Sequence, residues 1–271
     1  MNDSAPELVF HDSLMLGPGD PPVCEIINHE GAAPLLLTCD HASRTIPATF
    51  DGLGVDEARL RQHVAWDIGA GDVTRGLSHR LDAAAVLAGY SRLVIDLNRQ
   101  PGDPESIPHQ SDGVRIPGNR GLGEADETER VDTFFWPYHH AVNNTLAHLW
   151  RRGAPPLLFS VHSFTPSFKG EDRYWHIGVL WNRDPRLAKP LIGELRAHDY
   201  LHVGDNEPYS GVDLAYTIDR HAGAAGLANC AVEIRQDLLE DAAGVESWVD
   251  ILADALQNIL AKEDIFRVEH F

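Results

Sequence analysis

Three short apolar runs constrain this chain more than anything else in it. They are PLLLTCDHAS at residues 34–43, PLLFSVHSF at 156–164 and LANCAVEIRQ at 227–236. Each apolar stretch is shorter than a helix needs and lacks the alternation of a strand with one wet face. Strands covered on both faces read this way. Each run then turns abruptly polar, at Asp40-His41, His162-Ser163 and Glu233-Ile234-Arg235. In open α/β sheets, ligands bind at the carboxyl ends of strands. Two histidines and a glutamate delivered to such an edge are the parts from which a mononuclear zinc hydrolase is built.

The segments between the runs supply the rest of the layers. Residues 23–28 read as an edge strand, and 84–89, 93–97 and 176–181 as further strands. Asp56-Glu57 opens a helix that carries Leu60, Val64 and Trp66. Val73, Leu77 and Leu81 recur at i, i+4 and i+8, and Phe134, Tyr138, Val142, Leu146 and Leu149 form a second helical stripe. His139 and His140 on that helix read as packing and surface residues. Residues 184–198 form another helix, and Trp248, Leu252, Leu256 and Ile259 share one face of the last. Alternating strands and helices without a repeat or linker predict an α/β protein. Residues 1–271 form one domain, a mixed central β-sheet with helices on both faces. Gly17, Pro18, Gly19, Pro21 and Pro22 make residues 1–22 an irregular arm. Residues 101–123 are rich in Gly, Pro, Asp and Asn and too long for an idle connection, which points to an active-site lid.

Composition narrows the function. The net charge of −19, with basic residues few and scattered, argues against nucleic acid or an anionic membrane surface as partner. No apolar stretch approaches the roughly 18 residues of a membrane span. The acidic N-terminus shows no apolar signal segment. The three cysteines, Cys24, Cys39 and Cys230, form no C-x-x-C pair, which fits a reducing compartment. The expected location is the cytoplasm.

TCDHASRTIP, SRLVIDLNR, SVHSFTP, NEPYSG and VEIRQDL, in this order, resemble the N-formylglutamate amidohydrolase family. The resemblance runs from about residue 34 to residue 240. That family is related in fold to zinc carboxypeptidases (phosphorylase/hydrolase-like) and to aspartoacylase-like enzymes. The resemblance implies one zinc ion per chain, held by His41 and His162. In the related carboxypeptidases a glutamate stands three residues after the first histidine; here that position is Arg44, which cannot ligate. The third ligand must come from elsewhere. Asp67, in the apolar AWDIGA segment, is costly to bury unpaired and is the first choice. Asp40 is the rival, although strand alternation would point it away from His41. It could equally orient a ligand histidine.

Glu233 resembles the general base that takes a proton from the attacking water and hands it to the departing nitrogen. Asn98 and Arg99 are similar to the pair with which related enzymes clamp a substrate carboxylate, a role suited to a guanidinium fork beside an amide donor. Arg92 resembles the arginine that polarises the scissile carbonyl. Arg235 either holds a substrate carboxylate or keeps Glu233 in place, and Asn206 and Tyr209 lie in a loop the family uses near its substrate. The implied activity is zinc-dependent hydrolysis of a small N-acyl (N-formyl) acidic amino acid such as N-formylglutamate. A carboxypeptidase-like peptidase and a metal-free binding domain on the same scaffold are the alternatives.

Overall fold

The structure is a computed structural model and describes residues 14–271. Most of the expected arm thus lies outside the described residues. Residues 14–22 form turns without helix or strand. Seven strands make one mixed sheet. In chain order they are β1 (Cys24–Ile27), β2 (Leu35–Cys39), β3 (Ala84–Ala88), β4 (Leu157–Phe164), β5 (Ile177–Leu180), β6 (Val203–Asp205) and β7 (Asn229–Arg235). Their spatial order is β1-β3-β2-β4-β7-β5-β6. The central four, β3, β2, β4 and β7, are mutually parallel, whereas β1 runs antiparallel to β3 and β5 antiparallel to β7.

The three apolar runs are therefore adjacent strands, buried on both faces. From β2 the chain crosses to β3 on one side, while β4 lies on the other. This reversal opens a crevice at the carboxyl ends of β2 and β4. Four long helices cover the sheet: α1 (Ala70–Leu81), α2 (Trp136–Arg152), α3 (Pro185–Arg196) and α4 (Ala242–Leu260). Leu35, Leu37, Phe159 and Val232 face the layer of α1, α3 and α4, where Val73, Leu77, Leu191 and Leu252 meet them. Leu36, Val86, Leu158 and Ala231 face α2 through Tyr138, Val142 and Leu146. Leu35, Leu36 and Leu37 are fully buried. Truncating any of them to alanine should cost about 2–5 kcal/mol.

Three expected elements differ. The helix from Asp56 is a single turn, Glu57–Leu60, capped by the Asp56 carboxylate, which accepts from the Ala58 N–H. Residues 93–97 are not a strand; they form a buried turn past the end of β3. Three of their carbonyls are satisfied by side chains from outside the sheet. Asn119 Nδ2 donates to Leu93 O at 2.9 Å, Arg130 Nη1 to Val94 O at 2.8 Å and His139 Nε2 to Leu97 O at 2.9 Å. Side-chain donors make a buried irregular segment tolerable. The 101–123 segment is not structureless: Gln110–Ser111 and Val114–Arg115 pair as a small hairpin.

Candidate active site

The sheet register assembles the site. In the parallel β4–β7 ladder Glu233 is paired with His162, so both side chains leave the same face, one strand apart. β2 stops at Cys39, and Asp40 and His41 occupy the turn that follows. Asp67 lies in the turn before α1, with its N–H donating to His41 O at 3.0 Å. Gly69, the next residue but one, has φ +76°. A Cβ there would meet Leu239 Cβ at 2.5 Å, so only glycine lets this turn press against the sheet edge.

His41, Asp67 and His162 converge, each offering a ligand atom within 4.8 Å of the others, and all three are buried. Asp67 Oδ2 is 3.3 Å from His41 Nδ1 and 2.8 Å from His162 Nδ1. The opposite ring nitrogens are held by other carboxylates. His41 Nε2 donates to Asp96 Oδ1 at 2.8 Å, and His162 Nε2 lies 3.3 Å from Asp40 Oδ2 and 3.1 Å from Ser160 Oγ. Carboxylates behind two imidazoles leave both Nδ1 lone pairs free to face a common centre. Two imidazole nitrogens and one carboxylate oxygen are a donor set suited to zinc. The residues present fit the ion that the sequence pattern implies.

Asp40 stands on the far side of His162 from this centre. Its Oδ1 accepts from Tyr138 Oη at 2.6 Å and from Thr217 Oγ1 at 3.0 Å. The carboxylate of the rival candidate is thus placed behind His162, against its Nε2, and outside the cluster of three. Asp67, expected within a helical stretch, instead comes from a turn, which gives it the freedom to reach both histidines. Arg44 points outward to Glu57 at 3.0 Å.

Charge is balanced tightly here. Burial pushes the Asp67 carboxyl up, but His41 and His162 win and hold it below the usual carboxylate range. Asp96 behaves likewise, its burial outweighed by His41 and Arg92. Burial and Arg92 pull His41 down, yet Asp96 and Asp67 leave it net raised. Glu233 goes the other way: burial, with the Asp67 charge added, lifts it from 4.5 to about 7 against the attraction of His162, His41 and Arg92. Its Oε2 is buried without a hydrogen-bond partner. A carboxylate poised near neutrality, unpartnered and beside a donor cluster can accept a proton from water.

These groups line a cleft of about 250 Å3, below the roughly 300–1,000 Å3 of drug-sized sites. Arg92 is held charged despite burial by Asp96, whose Oδ2 is 2.7 Å from Nη2, and by Asp67, whose Oδ1 is 3.6 Å from Nη1. Arg99 is loosely held, 3.7 Å from Asp96 and 3.9 Å from Asp103. Asn98 Oδ1 accepts from Thr217 N at 3.0 Å, leaving the amide nitrogen as the group a ligand can use. Tyr209 lines the wall, and its hydroxyl accepts from Arg173 Nη1 at 2.9 Å.

Two expected binding residues do not reach the cleft. Arg235 is spent on Asp237, at 2.8 Å, and on the carbonyls of residues 173–175. Asn206 organises a turn, its Oδ1 accepting from Trp181 N at 2.9 Å and Gly211 N at 3.0 Å. That turn presses so closely on the sheet that a Cβ on Gly178 would sit 2.1 Å from Glu207 O. Other wall residues were not singled out in the sequence. Asp112, at the hairpin tip, bonds His63, and both line the cleft with Phe164, Phe168 and Leu180. Only the length of the 101–123 loop pointed toward Asp112.

Fold and cleft together define a class, α/β proteins with a candidate hydrolytic centre at the carboxyl edge of a mixed sheet. A model of the N-formylglutamate amidohydrolase family matches residues 33–240, and the chain belongs to that family. N-formylglutamate deformylase of Pseudomonas putida is 31% identical over 194 residues, covering 65% of this chain and 71% of that protein. The enzyme of the same name from Pseudomonas aeruginosa is 31% identical over 191 residues, covering 64% and 70%. A crystal structure of an Agrobacterium tumefaciens gene product shares 33% identity and superposes with a TM-score of 0.88 over 91% of this chain and 98% of that one. An N-formylglutamate amidohydrolase from Ralstonia eutropha, 20% identical, has the same fold, with a TM-score of 0.72 over 89% and 98%. Among the described residues no helix is long and apolar enough to cross a membrane.

Proposed function

We propose that this chain hydrolyses N-formylglutamate to formate and glutamate in the cytoplasm, with one zinc ion held by His41, Asp67 and His162. The observation that carries the reading is the His41–Asp67–His162 cluster facing the unpartnered Glu233 carboxylate within one small cleft. Such an ion, when bound, supplies Lewis-acid polarisation and makes water acidic enough to attack at neutral pH.

The chain's own residues account for the remaining steps. Glu233, ionised, takes a proton from the water that attacks the formyl carbon. It then delivers that proton to the amine nitrogen as the C–N bond breaks. Arg92, fixed by Asp96 and Asp67, offers a pre-oriented cation where negative charge develops on the formyl oxygen. Arg99, which has no close carboxylate partner, takes a glutamate carboxylate, with the Asn98 amide as a second donor. The cleft suits a small N-acyl amino acid better than an extended peptide. Asp67 supplies the carboxylate that position 44 lacks, so the Arg44 substitution does not argue for a metal-free binding domain.

The test is direct. Protein purified without chelator should contain one zinc per chain and release glutamate from N-formylglutamate, and exhaustive chelation should abolish that release. Full activity without metal would overturn the zinc reading. Inactivity with one zinc bound would overturn the substrate.

A further inference from the structure

A second cluster of metal-ligating side chains lies at the opposite edge of the sheet. His29 and Glu30 occupy the turn between the end of β1 at Ile27 and the start of β2 at Leu35. His148 comes from the C-terminal half of α2. The ligand atoms of all three lie within 4.8 Å of one another. Glu30 Oε1 is 2.9 Å from His29 Nδ1 and 3.0 Å from His148 Nε2. The two imidazoles are stacked, ring centroids 4.2 Å apart and planes 30° from parallel.

These spacings match hydrogen bonds and also leave the ligand atoms where a shared cation would need them. Two donors at right angles on bonds of about 2.05 Å are about 2.9 Å apart, and tetrahedral donors about 3.3 Å. A hydrogen-bonded trio explains only half of the arrangement. His29 Nδ1 bonds Glu30 Oε1, while the buried His148 Nε2 sits 3.0 Å from the same oxygen but out of line for a well-formed hydrogen bond. Arg152 takes the other side of the carboxylate, 3.5 Å from Oε2, and donates to Glu30 O and Gly31 O. It pins the turn from that side, while Oε1 faces the two imidazole nitrogens. The helix end contributes its negative pole, and the chain's net charge of −19 attracts cations generally.

We propose that His29, Glu30 and His148 form a second divalent metal site, remote from the cleft, that takes zinc or a similar borderline cation through a two-imidazole, one-carboxylate donor set. The ion ties the β1–β2 turn to α2 and so stabilises the amino edge of the sheet. It takes no part in turnover.

Calorimetric titration of the protein as purified with zinc chloride tests this, because the cleft's own metal is counted beforehand by elemental analysis. Wild type should take up one further zinc per chain and gain thermal stability from it. His148→Ala should weaken that uptake by more than the 10–100-fold typical of changes behind a metal ligand, and the stabilisation should vanish. His29→Gln, on the turn, should do the same and guards against a folding defect in α2. Zinc uptake and thermal stability are the readouts, so the result does not depend on the function proposed above, and activity on N-formylglutamate should be unchanged in both variants. No further zinc in wild type, or the same uptake in both variants, would overturn the site.

Discussion

Replacing Arg99 by leucine separates substrate recognition from the rest of the site. Arg99 lines the cleft, and its two carboxylate neighbours are distant, at 3.7 Å and 3.9 Å. Asp96, the nearer one, keeps His41 at 2.8 Å, Arg92 at 2.7 Å and the Asn98 N–H at 2.9 Å after the change. No buried carboxylate is stranded, so zinc content and stability should hold. The loss should fall on the substrate carboxylate. A charge-assisted hydrogen bond contributes roughly 1.5–3 kcal/mol, which at about 1.4 kcal/mol per decade is about a 10- to 150-fold drop in kcat/KM. Steady-state kinetics on N-formylglutamate and on its α-amide and γ-amide should show the loss for two of the three, with the amide lacking the clamped carboxylate already slow and insensitive. This comparison is a double-mutant cycle between protein and ligand. Lysine should restore only part of the rate, since an ammonium lacks the two-pronged fork. Equal losses on all three substrates would show that Arg99 is structural and refute the clamp.

Four further outcomes are expected. Glu233→Gln should keep metal and fold and lower kcat by about 100- to 10,000-fold; a drop below tenfold would mean the proton goes elsewhere. The base works only when ionised, so wild-type kcat/KM should fall as pH drops through a value between 4.5 and about 7, the upper figure lowered by a bound cation, and this acid limb should be missing from the residual activity of Glu233→Gln. Asp67→Ala should remove more zinc than Asp40→Ala, whose effect should stay within about 10–100-fold of affinity; the reverse order by metal titration would make Asp40 the ligand. Arg130→Met strands the Val94 carbonyl and the Asn119 amide oxygen, so chemical denaturation should show a loss of about 1–3 kcal/mol.

What was legible in the sequence was local or periodic. Three apolar runs announced buried strands because burial on both faces leaves no room for polar alternation, and the sheet order made them neighbours. Their abrupt polar endings marked His41, His162 and Glu233, since a strand end is where a buried backbone can deliver a polar side chain to a cleft. The helical stripes at Val73–Leu81 and Trp248–Ile259 stand in α1 and α4 as the 3.6-residue period requires. Residues 93–97 looked like a strand for the same reason that the true strands did: they are apolar and buried. Only the fold shows that Asn119, Arg130 and His139 satisfy their carbonyls in place of a neighbouring strand.

Partnership between distant residues was decided by tertiary structure alone. Asp67 meets His162 across 95 positions of chain, and Tyr138 meets Asp40 across 98. Arg235 and Asn206 carry the right chemistry for substrate, yet the fold aims Arg235 at Asp237 and nearby carbonyls and Asn206 at backbone N–H groups. Side-chain type is a property of the chain, whereas direction depends on register, on a turn that only Gly69 permits, and on which neighbour has already taken the hydrogen bond.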